Sequence, residues 1–210
     1  MNPGPSTTPP TRLTLIRHGE TEWNREGRMQ GHGDSPLSKE GRRQVHALAL
    51  RLEQFAFDHL YSSDLGRARS SAEAIAKLSG HSIQLMPELR ERNMGLFEGL
   101  TTHEVRAQYP REYESWKSQD PTSATPGGES IDTSTARIFA CCEALAEKHR
   151  GEHLVAVTHG GVLASFLRHI LGIPPETARH FKIPNASVNV FLRDERGWWL
   201  QTWGDVSHLG

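Results

Sequence analysis

Two histidines share one local setting: Arg17-His18-Gly19 and Thr158-His159-Gly160-Gly161 each close an apolar run. Imidazole changes charge near neutral pH, so it can act as nucleophile, base or hydrogen-bond donor. A lone histidine more often satisfies a local hydrogen bond. Two in one topological position, each followed by a glycine that lets a ligand approach the backbone, point to a shared site. Arg17 adds a guanidinium beside His18. Arg67, in Ser63-Asp64-Leu65-Gly66-Arg67, falls in the first turn of a predicted helix, where a cation opposes the helix dipole unless an anion is close. Two guanidinium forks and two imidazoles around one point can bind a tetrahedral dianion of the phosphate type.

The elements that would position these groups alternate. Residues 12–18 suit a buried strand. A loop rich in glycine and charge comes next, and Ser38 then caps a helix with an apolar stripe at Val45, Leu48, Leu52 and Phe55. Residues 57–61 predict a second strand, 64–78 a helix closed by Gly80, and 83–86 a weaker strand. After a loop over 90–99 comes a short helix that stops at Pro110, then a turn-rich connection over 118–129. Beyond it lie a helix over 131–148, a strand over 153–158 and a helix over 161–171. Two final strands, near 187–192 and 198–203, flank an Asp194-Glu195-Arg196-Gly197 turn. Strands alternating with helices predict an α/β single domain with a mostly parallel central sheet flanked by helices. The ligand crevice of such a sheet lies off the carboxyl ends of its strands, where both histidines stand. Residues 1–11, mostly Pro, Ser, Thr and Gly, read as a disordered leader, and 12–210 as the domain.

Composition narrows the function classes. The 210 residues carry 24 Lys plus Arg against 25 Asp plus Glu, a balance that argues against a general nucleic-acid or anionic-membrane binder. There is no run of roughly 20 apolar residues to cross a bilayer and no apolar signal region at the N-terminus. The two cysteines, Cys141 and Cys142, are adjacent and frame no disulfide scaffold. These features predict a reduced cytoplasmic protein; they leave the oligomeric state open.

With Arg17-His18-Gly19-Glu20-Thr21-Glu22-Trp23-Asn24, Ser63-Asp64-Leu65-Gly66-Arg67-Ala68, the segment from Leu89 through Glu91 to Leu100, and Thr158-His159-Gly160-Gly161, the chain resembles the histidine phosphatase superfamily, which includes cofactor-dependent phosphoglycerate mutases and many small phosphatases. The four blocks stand in the family's order and span nearly the whole chain from residue 12. The resemblance implies a phosphoglycerate mutase-like fold, with His18 as the nucleophile that becomes phosphohistidine. Arg17, Arg67 and His159 would be the clamp on the equatorial oxygens. Asn24 would be a further phosphate donor, Gln30 and Gly31 part of the loop over substrate, and the Gly160 amide one more donor. Glu91 matches the acid/base residue; Glu20, Glu98 and Glu129 are alternative carboxylates. No cofactor and no metal is implied, and the expected partner is a small-molecule phosphate ester.

The same pocket can hydrolyse a phosphoester or move a phosphoryl group between hydroxyls. Mutases of this superfamily carry a Tyr and a Lys after the catalytic Glu, and an Arg pair further on, to grip a carboxylated substrate. Here the first two positions hold Met94 and Thr102, the third region reads Glu114-Ser115-Trp116-Lys117, and Gly160-Gly161 replaces the mutases' Gly-Asn. The expectation is a phosphomonoesterase acting on small phosphorylated metabolites. A cofactor-dependent phosphoglycerate mutase and a catalytically silent phospho-ligand binding protein are the alternatives. Met94, Phe97, Tyr109 and Trp116 suggest an apolar acceptor side tolerant of hydrophobic leaving groups. Despite 12 histidines, no HExxH, Asp-x-Asp or Walker-type loop indicates a metal-dependent hydrolase. Three further features take plain readings. His149 and His153, separated by Gly151, do not share a helix face; Asn185-Ala186-Ser187 matches a glycosylation acceptor in a chain not directed to secretion; and Trp198, Trp199 and Trp203 pack a terminal hairpin.

Overall fold

The strand of the run at residues 12–17 is buried on both faces, which requires helices above and below it. In the computed structural model, which describes residues 9–177 and 180–210, this strand is β1 (Thr11–Arg17). It sits in a six-stranded sheet with β2 (His59–Ser62), β3 (Ile83–Leu85), β4 (His153–Thr158), β5 (Val188–Asp194) and β6 (Gly197–Asp205), in the order β3-β2-β4-β1-β5-β6. β1, β2, β3 and β4 pair in parallel, while β5 pairs antiparallel with β1 and β6 antiparallel with β5, so the sheet is mostly parallel as expected.

The α-helices are α1 (Glu22–Glu26), α2 (Lys39–Glu53), α3 (Gly66–Ser79), α4 (Thr102–Gln108), α5 (Pro110–Lys117), α6 (Ile131–Lys148) and α7 (Gly160–Leu171), with short 3-10 turns at Pro87–Leu89, Gly95–Phe97 and Ser207–Leu209. β4 shows how two layers meet one strand. Leu154 and Ala156 enter a core with Ile138, Leu145, Val162 and Phe166 of α6 and α7; Val155 and Val157 enter another with Leu48, Leu52, Ala72 and Ile75 of α2 and α3. The period of two in a strand makes this alternation automatic, and burial on both sides explains the unbroken apolar run.

Several boundaries differ from expectation, each for a local reason. Thr11 belongs to β1 rather than to a leader: its hydroxyl donates to Ala146 O and His149 O. Residues 1–8 of the proposed leader lie outside the described residues. Pro110 begins α5 instead of only stopping α4, because its missing N–H costs nothing at the first helical position. α1 arises inside the glycine-rich loop from a reciprocal Thr21–Asn24 capping box. Phe55 falls beyond the end of α2 and is exposed. The terminal strands form the expected antiparallel pair. Trp198 packs edge-on against Phe166 and Trp203 against Phe181, whereas Trp199 is half exposed. Among the described residues no helix is long and apolar enough to cross a membrane.

Candidate active site

The carboxyl ends of β1, β2 and β4 lie side by side because these strands are neighbours in parallel register. His18 follows β1 and donates its main-chain N–H to Thr158 O at 3.0 Å, while Ser63, after β2, donates to Val157 O at 2.9 Å. His159 follows β4 and is the N-cap of α7. The His18 and His159 rings are therefore brought to a centroid separation of 5.3 Å.

A cavity of about 650 Å³ opens at this edge. Arg17, His18, Asn24, Gln30, Gly31, Arg67, Glu91 and Gly160 all line it. His159 is fully buried beside His18, behind that wall. These nine residues thus converge on one place.

Hydrogen bonds constrain the tautomers. His18 Nδ1 is 2.7 Å from Gly19 O, and a carbonyl can only accept, so Nδ1 carries the proton and Nε2 keeps its lone pair. His159 Nε2 is 2.8 Å from Ser63 Oγ, which itself accepts from the Leu65 N–H. In the tautomer in which the Ser63 hydroxyl donates to Nε2, the His159 proton sits on Nδ1, a nitrogen with no partner among the described residues. Burial, and then the positive charges of Arg67 and Arg17, hold the His18 pKa well below 6.5; burial, Arg67, His18 and Arg17 do the same to His159.

Arg67 is anchored by its loop rather than by its own helix. Its Nη1 donates to Gly33 O at 2.9 Å and Asp34 Oδ1 at 3.2 Å, and its Nη2 to Gly31 O at 2.7 Å. α3 has no side-chain cap of its own; Asp34 reaches across to its first turn and accepts the Arg67 main-chain N–H. The anion that a cation in this first turn needs is thus protein-borne. Nε of Arg67 is buried with no partner among the described residues. The loop carrying these acceptors is held by Glu98, whose carboxylate accepts from the His32, Gly33 and Met94 N–H groups. Gly31, at φ +54°, has no room for a side chain because a Cβ there would lie 2.2 Å from Glu98 Oε1.

The four candidate carboxylates separate. Glu98 is the loop anchor, Glu20 accepts from Ser38 Oγ, and Glu129 pairs with Arg137. Only Glu91 lines the cavity, its oxygens accepting the Arg92 and Gly161 main-chain N–H groups at 2.9 and 2.8 Å. Gly160 lies against Arg17, and it is Gly161 that contacts the carboxylate: a Cβ there would lie 2.1 Å from Glu91 Oε1.

Three residues acquire roles that sequence reading missed. The acceptor side is cationic as well as apolar. Met94 and Trp116 do line the cavity, but so do Arg92 and Arg168; Phe97 is fully buried and Tyr109 is not part of the wall. Arg92 makes no side-chain hydrogen bond or ion pair among the described residues, and burial lowers its pKa against the pull of Glu91 and Glu129. Arg90, next to Glu91 in the chain, pairs with Asp64. Arg168 is fixed by the carbonyls of Pro174, Pro175 and Thr177. Asn185, noticed only as a glycosylation pattern, donates to His18 O at 3.1 Å and Asn24 Oδ1 at 3.2 Å. Asn24 Oδ1 also accepts from Thr21 N–H, leaving the Asn24 amide nitrogen as its donor.

The depressed histidine pKa values have a consequence for stability. Unfolded, both imidazoles protonate near 6.5; folded, both resist it. The unfolded state therefore binds more protons as pH falls below 6.5, and stability drops by up to about 1.4 kcal/mol per pH unit for each histidine. Urea midpoints should fall from pH 7.5 to 5.5, with a shallower dependence in His18→Ala. Equal slopes for the two proteins would mean that His18 is not buried neutral.

The chain is similar to known proteins over nearly its whole length. The chain is 41% identical over 201 residues to "Phosphoglycerate mutase-like protein 4" of Arabidopsis thaliana, covering 94% of this chain and 86% of that protein. It is 40% identical over 203 residues to the "Metal-independent phosphoserine phosphatase" of the same plant, covering 95% and 83%. A phosphoserine phosphatase mutant from Entamoeba histolytica, solved in complex with phosphoserine, superposes with a TM-score of 0.85 at 28% identity, covering 95% of this chain and 99% of that one. The family model for the histidine phosphatase superfamily (branch 1) matches residues 13–206, and to that superfamily this chain belongs.

Proposed function

We propose that this protein is a metal-independent phosphomonoesterase that hydrolyses small phosphorylated metabolites through a phosphohistidine at His18. The observation that carries the reading is the His18 Nδ1 contact with Gly19 O, which leaves Nε2 as a neutral nucleophile among cations. Nε2 attacks phosphorus as the bond to the leaving oxygen breaks. Arg17, Arg67, His159 Nδ1–H and Asn24 take the charge on the three equatorial oxygens, the interaction on which phosphoryl transfer most depends. Glu91 delivers a proton to the leaving oxygen. It then takes one from the water that attacks phosphohistidine, so that phosphate departs and both residues return to their starting states. Gln30, Gly31 and Gly160 border the bound ester.

Arg92 refines the substrate class. A desolvated guanidinium on the acceptor side suits a leaving group with a carboxylate, and a phosphorylated hydroxy or amino acid meets that requirement. The relatives named for phosphoserine support the same class. Arg92→Leu should lower kcat/KM for phosphoserine by about 10- to 100-fold, the worth of one charge-assisted hydrogen bond, and leave p-nitrophenyl phosphate within about twofold. Equal losses on both substrates would assign Arg92 to the phosphate instead. The reaction would run in the cytoplasm, where free thiols such as the buried Cys141 and Cys142 persist.

One assay tests the reading as a whole. Hydrolysis of p-nitrophenyl phosphate should be indifferent to EDTA and blocked by vanadate, a mimic of five-coordinate phosphorus. Loss of activity with EDTA would replace the histidine mechanism by a metal-dependent one. With 3-phosphoglycerate, release of inorganic phosphate is expected; interconversion to 2-phosphoglycerate without release would favour the mutase alternative.

A further inference from the structure

At the amino ends of the parallel strands, the length of β2 away from the crevice, three chain segments meet. His59 is the first residue of β2, His149 follows α6, and Glu152 precedes β4. Glu152 Oε2 lies 2.8 Å from His59 Nε2 and 2.8 Å from His149 Nδ1, and the two imidazole centroids are 4.0 Å apart. One ligand atom from each residue falls within 4.8 Å of the others. His153 does not join them, in keeping with its separation from His149 by Gly151; its ring contacts Thr14 Oγ1 and Ala56 O.

We propose that His59, His149 and Glu152 form a binding site for one divalent transition metal ion of the zinc class. Four observations support it. Two imidazole nitrogens and one carboxylate oxygen are a donor set that zinc accepts, with a fourth position for water; hard cations such as calcium or magnesium prefer oxygen alone. Bonds of about 2.0–2.1 Å in a tetrahedron set neighbouring ligand atoms about 3.3 Å apart, so the 2.8 Å contacts need to open by only about half an ångström. The far nitrogen of His149, Nε2, lies 2.8 Å from the Tyr61 hydroxyl. With that oxygen accepting an Nε2–H, the Nδ1 lone pair is presented to the ion, the outer-shell arrangement typical of metal-bound histidine. Finally, His149 is buried while the Glu152 side chain is 44% exposed, which gives a rigid back wall and an open entrance.

The site lies outside the phosphate crevice, and its function is structural: it ties the entry of β2, the end of α6 and the entry of β4. Binding to neutral imidazoles requires that each proton now facing Glu152 move to the far ring nitrogen: from His59 Nε2 to Nδ1, and from His149 Nδ1 to Nε2 as the Tyr61 hydroxyl turns to accept it. Occupancy then adds stability by mass action.

Chelator-treated full-length protein should be titrated with ZnCl₂ against a chromogenic zinc chelator, with melting temperature and p-nitrophenyl phosphate turnover followed in parallel. One equivalent should bind with a dissociation constant below about 1 µM and raise the melting temperature. His59→Gln, which keeps a donor to Glu152, and Glu152→Gln should each lose that equivalent, with turnover unchanged in both. Tyr61→Phe, a near-isosteric core change, should weaken binding about tenfold. Wild-type protein binding no zinc at that level, binding undiminished in both Gln variants, or an equivalent lost only in His18→Ala would overturn the proposal. The phosphatase reading stands or falls separately on vanadate and EDTA.

Discussion

His18→Ala lowers turnover of every phosphate ester by about 10⁵-fold or more, the scale seen when a covalent nucleophile is removed and only the binding groups remain. The size of the loss reflects the lack of any substitute for His18 in the crevice. Glu91 is tied to the Gly161 N–H, His159 Nε2 is engaged by the Ser63 hydroxyl, and the guanidiniums carry no available lone pair. No second group can attack phosphorus, so water must do so directly. The wild-type enzyme, quenched during turnover, should yield an acid-labile, base-stable phosphoprotein, and the variant none. Because the imidazole is buried, its removal also leaves a small cavity and an unpaired Gly19 carbonyl. Vanadate should still raise the variant's melting temperature, since Arg17 and Arg67 remain, and this separates lost chemistry from lost folding. Robust turnover by a folded, vanadate-binding variant would dispose of the phosphohistidine.

Glu91→Gln lowers kcat/KM, which reports the steps up to departure of the leaving group, by about 10²- to 10⁴-fold for alkyl phosphates and by less than about tenfold for p-nitrophenyl phosphate. An alkoxide is a poor leaving group and needs its proton in the transition state, whereas a nitrophenolate leaves readily without one. The glutamine retains oxygen for one of the two main-chain N–H groups that now hold the carboxylate, from Arg92 and Gly161. The site's shape should therefore survive, and the ratio of the two rates isolates proton transfer. A burst of nitrophenol followed by a slower steady rate is expected as well, because the variant also lacks the base that activates water against phosphohistidine. Equal losses on both substrates would remove Glu91 from proton transfer and reduce it to a positioning role.

Much of this could be read in the chain because the signals are local. The apolar run of β4 and the 3.6-residue stripes of α2 and α6 report burial on one face or two, and burial on both faces of a strand demands helices on both sides. α6 appears at its expected bounds since Ser130 caps it and its stripe is uninterrupted. Pro110 misled because a proline can end one helix or begin the next, and only the residues after it decide which. α1 hid because a five-residue helix built on a capping box has no periodicity to detect. Residue identities at the site were likewise legible, since His18, Arg67 and His159 each stand at a fixed offset from a strand end.

What the amino-acid sequence determined by itself, then, is the order of elements and the types of group that meet at their carboxyl ends, because backbone preference and hydrophobic period act over a few residues. The tertiary structure alone decided which of four glutamates faces the crevice. Glu91 does so because a main-chain N–H lying 70 residues further on draws it there, while Glu98 is claimed by the loop that holds Arg67. It alone set the tautomer of His18, turned Arg92 inward, brought Asn185 to the nucleophile's backbone, and joined His149 to His59 through Glu152. Each of these depends on the direction of one side chain, and that direction is set by partners distant in the chain that no local pattern encodes.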